Sequence, residues 1–360
     1  MSALFIVLAG LSLGSEPAAA EPFILGVDIS ALEQVEEGGG IFSDDGIAGD
    51  AIDIFREHGV NYIRLRLWHS PSGETGSLDS ALRLAARGRE AGMGLLLDIH
   101  YSDDWADPNK QYKPGVWEGL PFEALADSVR AYTSDVIGRF WAAGVLPEIV
   151  QIGNEISCGL LWNDGKVCGT LEADTRWRNL AALVNAGIEG VKDGAGSGEM
   201  PRIMIHYDDG GDNSRCRWFF DKLAGEGVGF DIIGLSFYPW WHGTLDDLSA
   251  NLEDLAARYG KVIIIVETAY PWTLGWFDDE HNLVGMDGQL HDGFDASVDG
   301  QRKFIEKVIE TVEGIEGGRG IGFFYWAPEW ISAPGASSPW ENMTLFDFSG
   351  SALYSIGAFE

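Results

Sequence analysis

Runs rich in Ile, Val and Leu recur along the chain at Ile24 to Ile29, Asn61 to Leu67, Gly94 to Ile99, Glu148 to Ile152, Arg202 to His206, Ile232 to Phe237, Val262 to Val266 and Gly320 to Trp326. Between them lie longer stretches in which apolar residues return at helical spacing: Ile47 to His58, Leu78 to Ala91, Phe122 to Trp141, Asp174 to Val191, Leu245 to Tyr259 and Gln301 to Val312. Strands alternating with amphipathic helices predict a parallel α/β fold. The segment lengths fit a closed (β/α)₈ TIM barrel with one long loop after the third strand and another after the seventh. An open doubly wound sheet gives the same alternation, but it needs a Gly-rich phosphate turn behind a strand. None of these runs leads into one, and Gly38-Gly39-Gly40 follows Glu36-Glu37 in a loop. Without a Pro/Ser-rich linker or a repeat of solenoid length, residues 21–360 read as a single barrel domain.

A chain of 360 residues suits one barrel with enlarged loops. Its 14 Trp exceed what a core needs, which leaves aromatic surface for binding. A formal charge of −32 repels phosphates and anionic lipids, so nucleic acid is excluded as a partner while a neutral polymer is not. The apolar run from Ala3 to Leu13, followed by small residues ending in Ala18-Ala19-Ala20, makes residues 1–20 a signal peptide, although its start lacks the usual positive charge. Secretion, extracellular or periplasmic, is the expectation; no later run is long and apolar enough to span a bilayer. The three cysteines are odd in number and lack zinc-ligand spacing, and Cys158 and Cys168, which flank a short loop, are the pair if a bridge forms.

In an α/β barrel the chemistry collects where the strands end, so the polar residues that close apolar strands are the ones to read. In chain order they are Asp28, Arg64 or Arg66, His100 with Tyr101, Asn154 with Glu155, His206, Tyr238, Glu267 and Trp326. Glu155 closes VQIGNEI on the fourth strand and Glu267 closes VIIIVETAY on the seventh. Two carboxylates facing each other over a barrel mouth suit glycoside hydrolysis, where one protonates the leaving oxygen and the other attacks or activates water. The plainer alternative is that each glutamate is only paired with a barrel arginine such as Arg66. A zinc hydrolase using His100, His206, Asp98 and Asp208 would lack any H-x-H or H-E-x-x-H spacing.

The segments GVDIS from Gly26, YIRLRLW from Tyr62, DIHYSDDWADPNKQ from Asp98, QIGNEI from Gln151 and VETAYPW from Val266 closely resemble glycoside hydrolase family 53, the endo-β-1,4-galactanases of clan A. The likeness runs from about Phe23 to the C-terminus. It implies a retaining hydrolase of β-1,4-galactan, with Glu155 as acid/base and Glu267 as nucleophile. It further implies Asn154 as the contact to the sugar 2-OH, Tyr238 beside the nucleophile, Arg66 holding that nucleophile ionised, and Trp326 as a floor under the sugar. His100, Asp103, Trp105 and His206 complete the expected substrate contacts, the two histidines being open to bonding a sugar hydroxyl, to orienting a carboxylate or to packing as satisfied core residues, and Trp68, Trp117 and Trp240 are further candidates near strand ends. A monomer is expected, and no cofactor is expected for catalysis. Some bacterial members hold a structural calcium in the loop after the seventh strand. Asp278, Asp279, His281 and Asn282 stand in that loop here with no spacing that fixes a site, so the metal stays open.

Two departures stand out. Tyr207-Asp208-Asp209-Gly210-Gly211 replaces a run that usually ends in Trp, and Asp104 stands where the family pattern has Thr. Another clan A endo-glycosidase, such as a β-mannanase or endoglucanase, would use the same carboxylates, while an inactive galactan-binding barrel would have lost one of them.

Overall fold

The computed structural model describes residues 22–169 and 174–360; the leader read at residues 1–20 lies outside them. Eight strands, β1 (Ile24–Asp28), β2 (Tyr62–Leu67), β3 (Gly94–Ile99), β4 (Ile149–Ile152), β5 (Arg202–Tyr207), β6 (Ile232–Ser236), β7 (Val262–Glu267) and β8 (Gly320–Trp326), form a closed barrel. Every pairing in it is parallel, and β1 closes the ring against β8 from Ile24 opposite Gly322 to Asp28 opposite Trp326.

Side chains alternate faces along each strand, and the sequence exploits this by splitting the apolar residues into two separate clusters. One packs inside the barrel and contains Ile24, Leu96, Ile149, Met204, Ile232, Ile264 and Phe324. The other lies between sheet and helices and contains their neighbours, among them Val27, Leu97, Val150, Ile205, Ile233, Ile265 and Phe323. Gly26 is required by the interior, because a Cβ there would come within 2.3 Å of the Phe324 ring. Further along six of the strands the inward positions turn polar, and this upper layer holds Asp28, Arg64, Asp98, Gln151, His206 and Ser236, all buried.

The outer layer comprises α1 (Ala51–Glu57), α2 (Leu78–Glu90), α3 (Phe122–Ala142), α4 (Asp174–Gly194), α5 (Asn213–Gly225), α6 (Leu245–Tyr259) and α7 (Val298–Glu313). Their starts carry local caps: Ser77, Asp212 and Ser297 each accept a backbone N–H of the first turn, and Thr244 forms a capping box with Asp247. The helix expected from Ile47 begins later. Ile47–Gly49 pairs with Phe42–Asp44 as a small hairpin, and Asp50 caps α1 by accepting from Ile52 N. Besides the long loops after β3 and β7, a third runs from Ala327 to Leu353 after β8; its length was not anticipated.

Candidate active site

At the centre of the polar layer is Arg64, 1% exposed. Its Nη1 lies 2.7 Å from both Asp28 Oδ2 and Glu267 Oε1. Its Nη2 donates to Asp98 Oδ2 (2.9 Å), Asn154 Oδ1 (3.1 Å) and Gln151 Oε1 (3.2 Å). A guanidinium suits this place because it stays charged and presents several donors in a fixed fork. Gln151 extends the network to Asp98 Oδ1 at 2.6 Å, and His100 Nε2 contacts Asp98 Oδ2 at 2.8 Å.

Glu267 ends β7 beside a register shift that sets Ser236 opposite it, and Tyr238 Oη donates to its Oε2 at 3.2 Å. Glu155 lies across the cleft, on the turn after β4. Its Oε1 accepts from Ser236 Oγ at 2.7 Å, and Ser236 Oγ lies 2.9 Å from His206 Nε2. The other ring nitrogen of His206 lies 2.9 Å from Asn154 Oδ1, so this buried imidazole sits directly behind the residue that precedes the acid and the serine that holds it. Burial, and next the Arg64 charge, push the His206 pKa well down and keep the ring neutral. Glu155 itself has φ 48° and ψ 52°, a left-handed conformation that costs an L-residue about 1–3 kcal/mol and persists only where the surroundings enforce it.

The carboxylate oxygens of Glu155 and Glu267 come within 4.8 Å of each other. Burial and then the Glu267 charge drive the Glu155 pKa well above the ordinary carboxylate range. Burial also raises Glu267, but the Arg64 contact pulls the other way and limits the rise. The pair therefore takes up a proton readily, and Glu155, which has no cation against it, is where that proton resides. Tyr238 is held far above its ordinary value by burial and by Glu267, so it remains a donor.

The cleft over these groups measures about 250 Å³. Trp105, Trp241, Trp326 and Trp340 form its aromatic walls, and His100, Asp107, Lys110 and Asn154 supply polar groups. Trp326 packs edge-on against Trp340 with ring centroids 4.5 Å apart. A recess of about 190 Å³ adjoins it, shared through Asp28, Arg66, Trp105 and Trp326 and extended by Gln34, Trp68, Thr75 and Trp330.

Several expectations need correction. Arg64, not Arg66, holds Glu267. Arg66 is wedged between the rings of Trp68 (4.4 Å) and Trp105 (3.9 Å), and among the described residues no carboxylate lies within salt-bridge distance of it. Asp103 does not reach the cleft, because its two oxygens accept from Ser70 N and Gly115 N and tie two loops together. His206 is fully buried behind Glu155 and Asn154 and faces no substrate space. Trp117 packs on His69 and Tyr132, whereas Trp240 packs on Tyr238. Lys110, Trp241, Trp330 and Trp340 were missed. Lys110 sits three residues beyond Asp107, and that pairing was its only signal in the sequence. The Cys158–Cys168 disulfide is formed, with Cα atoms 4.9 Å apart, and Cys216 is free and buried.

Of the calcium ligands suggested for the loop after β7, Asp278 and His281 are already engaged by neighbours, while Asn282 Oδ1 is buried without a hydrogen-bond partner among the described residues. Asp278 Oδ2 accepts from Ser332 Oγ and Ser338 N, its Oδ1 accepts from Glu280 N, and the His281 ring sits against Trp276. Among the described residues the one convergent set of three His, Cys, Asp or Glu ligands is Glu155, His206 and Glu267. There both imidazole nitrogens are engaged and Glu267 already faces a cation.

Residues 24–359, which take in the whole barrel and every group above, match the model of glycosyl hydrolase family 53. The chain belongs to that family. A protein of Niallia circulans from the 5′ region of bgaB is 45% identical over 345 residues, covering 94% of this chain and 93% of its own length. A probable arabinogalactan endo-β-1,4-galactanase A of Aspergillus terreus is 37% identical over 332 residues and covers 90% of each chain. The solved family 53 catalytic domain of Ignisphaera aggregans superposes with a TM-score of 0.88 at 38% identity, over 96% of this chain and 98% of that one. A family 53 member is a glycoside hydrolase, and the two facing carboxylates are where family 53 chemistry is to be sought in this barrel.

Proposed function

We propose that this protein is a secreted, monomeric endo-β-1,4-galactanase that acts on galactan and arabinogalactan with retention of configuration. One observation carries the mechanism: Glu155 and Glu267 face each other within 4.8 Å, with a cation against one of them only. Retaining glycosidases hold their carboxyl groups ~5–5.5 Å apart, whereas inverting ones need ~6.5–9.5 Å to admit a water. Glu155, protonated, gives its proton to the glycosidic oxygen as Glu267 attacks the anomeric carbon and forms a glycosyl-enzyme. Glu155, now ionised, takes a proton from the water that releases the sugar. Asn154 lines the cleft and commits its Nδ2 to Ala106 O through one hydrogen bond of 2.9 Å. The second Nδ2 hydrogen is then available to the sugar 2-OH. Trp326 offers a ring face to the apolar side of galactose.

The substrate assignment draws on relatives named as arabinogalactan endo-β-1,4-galactanases. Secretion is supported by the Ala3 to Leu13 run and the Ala18-Ala19-Ala20 that follows. Initial rates on lupin galactan, mannan and carboxymethyl-cellulose, with the product anomer followed by NMR, test the reading. A site that hydrogen-bonds an axial 4-OH leaves its own polar groups unpaired with an epimer, so galactan should be preferred by ~10³-fold or more, with the β-anomer formed first. Comparable rates on cellulose, or an initial α-anomer, would overturn it.

A further inference from the structure

Gln111 belongs to the loop after β3, yet its side chain grips the turn after β4. Its Nε2 lies 2.7 Å from the Asn154 carbonyl oxygen and 3.4 Å from that of Glu155, with the Asp107 carbonyl at 3.3 Å. The Asn154 and Glu155 carbonyls belong to the two peptide groups on either side of the Glu155 Cα. A donor that holds both planes fixes φ and ψ at that residue, and these are the left-handed values that Glu155 would otherwise leave. The loop carrying Gln111 is itself pinned from the far side. Trp162 N, in the hairpin that the Cys158–Cys168 disulfide closes, donates to Gln111 O at 2.6 Å. Gln111 is 1% exposed and is not among the residues that line the cleft, so it touches no sugar.

We propose that Gln111 is the positioning residue of the general acid: its amide holds the strained turn that aims the Glu155 carboxyl at the leaving oxygen. The inference rests on the reading of Glu155 as acid/base. Glu155 depends on such a clamp more than Glu267 does. Among the described residues its carboxyl has one side-chain donor, Ser236, whereas Glu267 is gripped by Arg64 and Tyr238. The direction of the Cα–Cβ bond therefore decides where the Glu155 proton is delivered, and Gln111 decides that direction.

The test compares leaving groups. Galactan needs its leaving oxygen protonated, whereas dinitrophenolate leaves unaided, so dinitrophenyl β-galactobioside reports attack by Glu267 with little help from the acid. Gln111→Met keeps the side-chain length and removes the donor. It should lower kcat/KM on galactan by ~10- to 100-fold, mostly in kcat, and lower it on the aryl substrate by less than about threefold, as a misaimed proton donor would. Equal losses on both substrates, or no loss on either, would overturn the proposal. If Gln111→Met does not fold, Gln111→Glu is read in the same way, and failure of both to fold would assign Gln111 to the fold alone. Glu155→Ala run alongside separates the two claims. If it lacks the leaving-group signature, the acid assignment has failed; if it shows the signature while Gln111→Met does not, only the present inference has.

Discussion

The two sides of the cleft solve opposite electrostatic problems. On the Glu267 side a buried carboxylate meets a guanidinium at 2.7 Å and a phenol at 3.2 Å, in a network where Asp28, Asp98, Gln151 and Asn154 also bond the two Nη groups of the arginine. On the Glu155 side the carboxyl is bonded by a serine hydroxyl with a neutral imidazole behind it, and among the described residues no cation pairs with it. The same residue type thus keeps a negative charge on one side and a proton on the other. The difference teaches that a glutamate's role here is set by whether its strand ends against Arg64, since an adjacent cation favours the charged form and desolvation without one favours the neutral form.

That contrast can be broken most severely by removing either carboxyl. Glu267→Gln and Glu155→Gln should each reduce initial rates on galactan by at least ~10²–10⁴, the range attributed to general acid–base catalysis, while melting near the wild-type temperature. Retention of more than about a tenth of the activity by either would undo the pairing of roles.

The next largest effect belongs to the arginines. Arg64→Met leaves Asp28, Asp98 and Glu267 buried without their cation, and breaking such a group destabilises by about 3–5 kcal/mol, read by thermal denaturation. In the protein that remains folded, Glu267 should titrate higher, so the acidic limb of the pH–rate profile moves to higher pH. Arg66→Met should leave that limb in place, because Arg66 sits between two indoles and holds no carboxylate. If Arg66→Met were the variant that moved the acidic limb, the reading of the network would be wrong.

A finer adjustment comes from Ser236→Ala. Activity needs Glu155 protonated, so the rate falls as pH rises through its titration. The Ser236 hydrogen bond favours the ionised form, and removing it should push the basic limb to higher pH with only a several-fold change in kcat, the scale of a single hydrogen bond to a charged group. A shift to lower pH would contradict this.

The smallest expected effect lies outside the reacting pair, at Glu329. It is fully buried, its Oε1 accepts from Ala31 N, and its Oε2 has no hydrogen-bond partner among the described residues. Burial raises its pKa well above the ordinary carboxylate range. The stability tied to its proton is complete below the unfolded value and is lost as pH rises through the folded one. Glu329→Gln should therefore melt like the wild type in acid and at a higher temperature than the wild type under alkaline conditions. Equal melting curves across the range would show that Glu329 does not carry this linkage.

Much of this was open to reading in one dimension because strand geometry is periodic. The period of two that separates the interior cluster from the sheet–helix cluster is visible in the apolar runs, and it places polar residues inside the barrel mouth. Parity also places Asp28, His100 and Tyr238 at the mouth, whereas the two carboxylates were found from their place at strand ends: Glu267 follows the inward Val266, and the register shift between β6 and β7 turns it into the cleft. Aromatic residues of the Ala327–Leu353 loop, such as Trp330 and Trp340, follow no period, and only packing shows that they line the cleft or its recess. Asp103 misled for a local reason: an acidic side chain in a loop can be consumed by nearby backbone N–H groups, and no pattern in the sequence reveals when it is.

Thus the sequence determined the strands, their alternation with helices and the two glutamates at strand ends, because each depends on residue order along single strands. The tertiary structure decided which partner each glutamate has. Arg64 and Arg66 share one face of β2 by parity and differ only in height. Which of them meets Glu267 across the barrel depends on the stagger of the strands, seen here as Asp28 opposite Arg64 and Arg66 opposite Asp98, and that relation between strands is written in no single one of them.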